Sequence, residues 1–155
     1  MRVWLLARCL VLLLLAPPAL GSTLLVVGDS ISAGFGLDTQ QGWVDLLGER
    51  LKQQGSDLEV VNASISGDTS AGGLARLPAL LAEHRPALVI IELGGNDGLR
   101  GQPPEQLQQN LAAMIADSRQ QGAKVLLLGM QLPPNYGARY TKAFARVYSD
   151  LAASA

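Results

Sequence analysis

Three short stretches hold the residues able to do chemistry. Gly28-Asp29-Ser30-Ile31-Ser32 offers a hydroxyl, Asn62-Ala63-Ser64-Ile65-Ser66-Gly67-Asp68-Thr69 offers a glycine among polar residues, and Gly94-Gly95-Asn96-Asp97 offers a carboxamide. Each follows an aliphatic run: Leu24–Val27, Leu58–Val61 and Ala87–Leu93. If those runs are neighbouring parallel strands about 4.8 Å apart, their carboxyl ends open into one crevice. Ser30 then sits at a strand-to-helix turn with free N–H groups, and a helix beginning there sets its positive end beside the site. Gly67 can offer an N–H that no side chain obstructs, and Asn96 a side-chain N–H from the opposite side. Three donors converging on a hydroxyl suit the tetrahedral intermediate of acyl transfer.

The elements that must position these groups are legible as period and punctuation. Trp43, Leu46, Leu47 and Leu51 fall on one predicted helical face, ended by Gly55. Thr69 can cap a helix carrying Leu74, Leu77, Leu80 and Leu81, which Pro78 should kink or restart. Pro104-Glu105 opens a helix with Leu107, Leu111, Met114, Ile115 and Ser118 inward, and Gly122 stops it. Lys124–Leu128 reads as a fourth strand and Tyr140–Ala153 as a last helix. Near-continuous aliphatic strands alternating with amphipathic helices imply a three-layer α/β/α fold. If its parallel sheet is flavodoxin-like, the strand order is 2-1-3-4.

The three blocks, in order and spacing, resemble those of the SGNH (Gly-Asp-Ser-Leu type) hydrolases. The string Asn62 to Thr69, the run Gly94 to Gly101 and Leu132-Pro133-Pro134-Asn135-Tyr136-Gly137 are similar to the periplasmic acyl-CoA thioesterase/lysophospholipase/arylesterase branch. The resemblance implies that Ser30 is the nucleophile, and that the Ser30 N–H, the Gly67 N–H and the Asn96 amide form the oxyanion hole. It implies ester or thioester hydrolysis of lipid-like or aryl substrates through an acyl-serine. Family members carry the catalytic acid and base in an Asp-x-x-His motif near the C terminus, which this chain lacks. Its single histidine, His84, follows Leu81 by three residues and ends a helix at the far side of the sheet from Ser30. The chain is therefore expected to be C-terminally incomplete, lacking the last strand and helix, and nearly inactive as it stands.

Composition narrows the remaining classes. Hydrophobic residues make up 48 % and charged residues 16 % of 155, which fits one globular domain. Arg2 and Arg8, the apolar run Cys9–Ala16, Pro17-Pro18 and Ala19-Leu20-Gly21 read as a signal peptide over residues 1–21. Residues 22–155 are then the hydrolase domain, periplasmic or secreted, with no membrane anchor after cleavage. Losing Arg2 and Arg8 moves the net charge from −1 to −3, and no basic run remains that would suit nucleic acid. Asp29, Asp68 and Asp97 read as caps and loop acceptors, and no metal is expected. Gly28, Gly34 and Gly36 do not have dinucleotide-loop spacing, and no cofactor is expected. Ser66 and Ser70 read as loop and cap hydroxyls. Leu132, Pro133 and Tyr136 either pack a loop or line an acyl groove, while Gly98 and Leu99 belong, by resemblance, to a rim that meets substrate. The partner is a small-molecule acyl ester or thioester and the chain a monomer. A carbohydrate O-deacetylase and a non-catalytic binding module are the alternatives.

Overall fold

A computed structural model describes residues 23–154, so the signal segment read over 1–21 lies outside the described residues. The elements run β1 (Thr23–Gly28), α1 (Trp43–Gln53), β2 (Glu59–Asn62), α2 (Ser70–His84), β3 (Leu88–Glu92), α3 (Gly95–Leu99), α4 (Pro104–Gln120), β4 (Lys124–Leu127) and α5 (Ala138–Ala153). A 3-10 turn, Pro134–Tyr136, precedes α5. All strand pairs are parallel and the order is β2-β1-β3-β4. Because the strands are parallel, the carboxyl ends of β1, β2 and β3 share one edge of the sheet, and the winding reverses between β1 and β3, where a crevice opens.

Alternation along the strands builds two cores. Leu25, Val27, Val89 and Ile91 face α2, α4 and α5, packing with Leu77, Leu81, Leu107, Leu111, Met114, Phe144 and Val147. Leu24, Val26 and Ile90 face the other way, onto Val44 of α1 with Trp43, Leu47 and Leu51 around it. Helices on both faces give the three layers expected from strands that are apolar on both sides.

Three expectations are corrected. Leu46 is 52 % exposed and Val44 takes its place, because at 100° per residue positions 43, 44, 47 and 51 share an arc that 46 leaves. Pro78 does not restart α2, which runs unbroken from the Thr69 cap, whose side chain accepts the Gly72 N–H. Leu77 and Leu81, both buried in the large core, hold the turns on either side of the proline. No helix begins at Ser30. The segment makes one turn, with Ala33 N–H to Asp29 O at 2.9 Å and Phe35 N–H to Ser30 O at 3.1 Å. Gly34 and Gly36 then take φ of 72° and 79°, a left-handed conformation that ends the turn, and α1 starts only at Trp43. The helix end expected to begin at Ser30 itself is therefore absent.

Candidate active site

Ser30 is half-buried, two residues past the end of β1. Its neighbours are fixed more firmly than the sequence suggested. Asp29, 2 % exposed, accepts the Ile31 N–H on Oδ1 at 3.0 Å and the Asn96 amide on Oδ2 at 3.2 Å. Burial pushes its carboxyl above the ordinary range; the Ile31 N–H opposes this, while the Asp68 charge adds to it. Ser32, 1 % exposed, gives its hydroxyl proton to Glu92 Oε2 at 2.5 Å and receives the Trp43 indole N–H at 3.2 Å. The Asn62 amide, from the end of β2, donates to Ser32 O at 2.8 Å.

Gly67 lies in the β2–α2 loop, exposed, with φ of 82°. Among the described residues no hydrogen bond takes up the N–H of Ser30 or of Gly67. Asn96, in α3 directly after β3, joins the loops: its Nδ2 donates to Asp68 O at 2.8 Å, beside Gly67, and to Asp29 Oδ2, beside Ser30. Both amide protons thus have acceptors within the protein, so Asn96 is less free to donate than its type implied. Beneath the loops, Arg76 of α2 pairs with Asp68 at 2.8 Å and donates to Ala63 O and, at 3.5 Å, to Gly28 O. One guanidinium therefore ties the ends of β1 and β2 to the start of α2. Arg100 adds a bond to Gly67 O at 3.0 Å.

Asp97 anchors α3 from below. Buried to 1 % exposure, it accepts the Ser70 N–H at 2.8 Å and the Ser70 hydroxyl at 2.5 Å, and Asn110 of α4 donates to the same hydroxyl at 2.9 Å. Ser70 is therefore the fully buried hub of a polar network and not a cap, a role that falls to Thr69. Tyr148 of α5 donates to Leu93 O at 2.9 Å, bracing the turn before Gly94; burial raises its phenol. Asp29, Asp68 and Asp97 each have hydrogen-bond donors of their own, and among the described residues no cluster of three His, Cys, Asp or Glu could hold a metal ion.

Of the candidate substrate-binding residues, Gly98 is buried beneath Leu132, close enough that a Cβ there would meet Leu132 Cδ2 at 2.5 Å and Phe144 Cε2 at 2.8 Å. Leu132 is half-buried on that glycine and on the large core, Pro133 is exposed and Leu99 is 52 % exposed. The Tyr136 and Tyr140 hydroxyls hold this rim through Leu99 O at 3.3 Å and Gln102 O at 2.6 Å. His84 ends α2, just before the amino end of β3, on the opposite side of the sheet from Ser30. Sequence reasoning missed Glu92, Ser32 and Arg76. The signals were present: a lone carboxylate closing an aliphatic strand, and an arginine on the inner part of an otherwise apolar helix.

In sequence and in fold the chain is similar to known proteins. The model of the GDSL-like Lipase/Acylhydrolase family matches residues 26–155. Esterase TesA of Pseudomonas aeruginosa is 71 % identical over 153 residues, spanning 99 % of this chain and 76 % of that protein. Thioesterase 1/protease 1/lysophospholipase L1 of Escherichia coli is 48 % identical over 149 residues, spanning 96 % of this chain and 70 % of that protein. The crystal structure of the psychrotrophic esterase EstA from Pseudoalteromonas sp., inhibited by monoethylphosphonate, superposes with a TM-score of 0.82 at 44 % identity. It covers 86 % of this chain and 73 % of its own.

Proposed function

The chain belongs to the GDSL-like Lipase/Acylhydrolase family and is an ester hydrolase, and we propose that it works through an acyl-enzyme on Ser30. The observation that carries this reading is the position of the Asn96 amide, bonded at once to the residue before Ser30 and to the residue after Gly67. A carbonyl carbon approached by the Ser30 hydroxyl would place its oxygen among the Ser30 N–H, the Gly67 N–H and Asn96 Nδ2. To donate there, Asn96 gives up its longer bond, the one to Asp29, and keeps Asp68 O as its anchor. The oxyanion then takes over a donor that the ground state spends on a carboxylate, so its net gain is the new bond less the one surrendered.

The Ser30 hydroxyl needs a base, and His84 is on the wrong side of the sheet to serve. Residues 1–155 alone are therefore expected to retain only the part of catalysis that an oxyanion hole and binding supply. That is about 10³–10⁴ over water, where losing a base costs about 10⁶ in a triad enzyme. The complete gene product is the species to assay.

The substrate we infer is an ester or thioester with an apolar acyl or aryl group. Ile31, Phe35, Leu37, Ile65 and Leu99 are all more than half exposed, and all lie on the segments that follow β1, β2 and β3 and carry the candidate site. The names borne by the relatives (esterase, thioesterase, lysophospholipase) fit that rim. The segment 1–21 supports export. A fluorophosphonate probe tests the mechanism: the complete gene product should be labelled, and Ser30→Ala should abolish labelling. Labelling that survives Ser30→Ala would place the nucleophile elsewhere.

A further inference from the structure

We propose that Glu92 is a positioning residue for the nucleophile, its carboxyl holding the Ser32 hydroxyl and the Asp29 N–H and so fixing the turn that carries Ser30 between them. The proposal rests on the reading of Ser30 as the nucleophile. Glu92 is the last residue of β3, in register with Gly28 of β1, and is 4 % exposed. Its Oε2 receives Ser32 Oγ at 2.5 Å and, in a second, longer bond, Asp29 N at 3.4 Å. Ser32 Oγ receives the Trp43 Nε1–H and gives its own proton to the carboxylate oxygen.

Two features mark this carboxyl as kept for geometry and not for stability. Its Oε1 is buried without a hydrogen-bond partner, so the carboxyl gives up solvation there with no bond in return. Burial drives its pKa upward, the Ser32 hydroxyl opposes this, and the Asp29 carboxylate adds to it. The other ionisable groups facing this corner are the Tyr148 phenol of α5 and the Arg76 guanidinium of α2, whose Nη2 approaches Gly28 O at 3.5 Å. Neither reaches Oε1. Gly28 also makes sense on this account. A Cβ there would lie 2.6 Å from Ser32 Oγ and 2.7 Å from Glu92 Oε2, in the space the clamp occupies.

The test uses the complete gene product and a fluorophosphonate, separating the maximal labelling rate from the half-saturating probe concentration. Glu92→Leu, which removes the acceptor, and Ser32→Ala should each slow maximal labelling about tenfold, a displaced nucleophile being costly even at sub-ångström scale, with half-saturation changed by less than about twofold. The double variant should be no slower than the slower single one, since both remove the same bond. Glu92→Gln, whose amide oxygen can still accept from Ser32 Oγ and Asp29 N, should restore most of the rate lost in Glu92→Leu. If wild type is labelled and Glu92→Leu labels at the same rate, the positioning role is refuted while Ser30 stands. A Glu92→Leu that melts lower yet labels normally refutes it equally. If wild type is not labelled at Ser30, both readings fall. Should Glu92→Leu not fold, Ser32→Ala decides alone, and wild-type labelling in that variant overturns the proposal.

Discussion

Replacing Asn96 by alanine should slow ester hydrolysis by the complete gene product about 5- to 30-fold, less than the loss of an unencumbered oxyanion donor would. The magnitude follows from where the amide protons already go. A free donor to a developing oxyanion contributes about 2.7–4 kcal/mol. Here one proton is held by Asp68 O at 2.8 Å, and the other must leave Asp29 Oδ2, 3.2 Å away. Hydrogen bonds to charged groups contribute about 1.5–3 kcal/mol, so the net advantage at the transition state is about 1–2 kcal/mol, a factor of about 5–30. The loss should fall on kcat, with KM little changed, since the new bond exists only at the transition state. Rates on a p-nitrophenyl ester well below the melting temperature would measure it. A loss under about twofold in a folded variant would remove Asn96 from the oxyanion site. A loss near a thousandfold would show that Asp29 does not compete for the proton, refuting the bookkeeping.

Gly73→Ala should destabilise by about 1–3 kcal/mol, because its methyl would overlap Leu93 Cδ1 and crowd Met114 Cε at 3.3 Å in the packed core; a thermal melt with an unchanged midpoint would contradict this. Glu92 and Asp29 both hold folded pKa values above their ordinary ones, so the folded state keeps protons that the unfolded chain has released. The stability they confer is full below about pH 4, declines as pH rises through the raised folded values and then levels off. The melting temperature of wild type relative to Glu92→Gln should therefore fall across that window, and a relative rise would reverse the sign. Phe35→Ser, at a side chain 78 % exposed, should leave stability within about 0.5 kcal/mol. It should slow long-chain esters more than acetyl esters, and equal slowing of both would remove Phe35 from the acyl-contacting rim.

Much of the architecture was legible because period and punctuation are local properties. The aliphatic runs ending at Val27, Val61 and Leu93, the Thr69 cap and the Pro104-Glu105 helix start were read within a residue or two of their places. The order β2-β1-β3-β4 is the flavodoxin-like one supposed from the sequence, although parallel strands joined by helices admit other orders. Errors arose where a local rule met a neighbour it could not see. Leu46 satisfied a helical spacing but fell off the buried arc, and Pro78 obeyed its helix-breaking tendency less than the core obeyed Leu77 and Leu81. The turn after Ser30 looked like a helix start until Gly34 and Gly36 ended it.

The amino-acid order by itself determined the fold class, the three loops and the types of residue they carry, since hydrophobic alternation and turn chemistry are written over a few neighbouring positions. Only the folded chain decided which polar atoms are free and which are spoken for. That Asn96 bridges Asp29 and Asp68, that Ser70 is a buried hub, and that Glu92 grips Ser32 across 60 positions are facts of long-range contact. A hydrogen bond depends on distance and direction between groups that meet only when parallel strands align, so no window of sequence contains it.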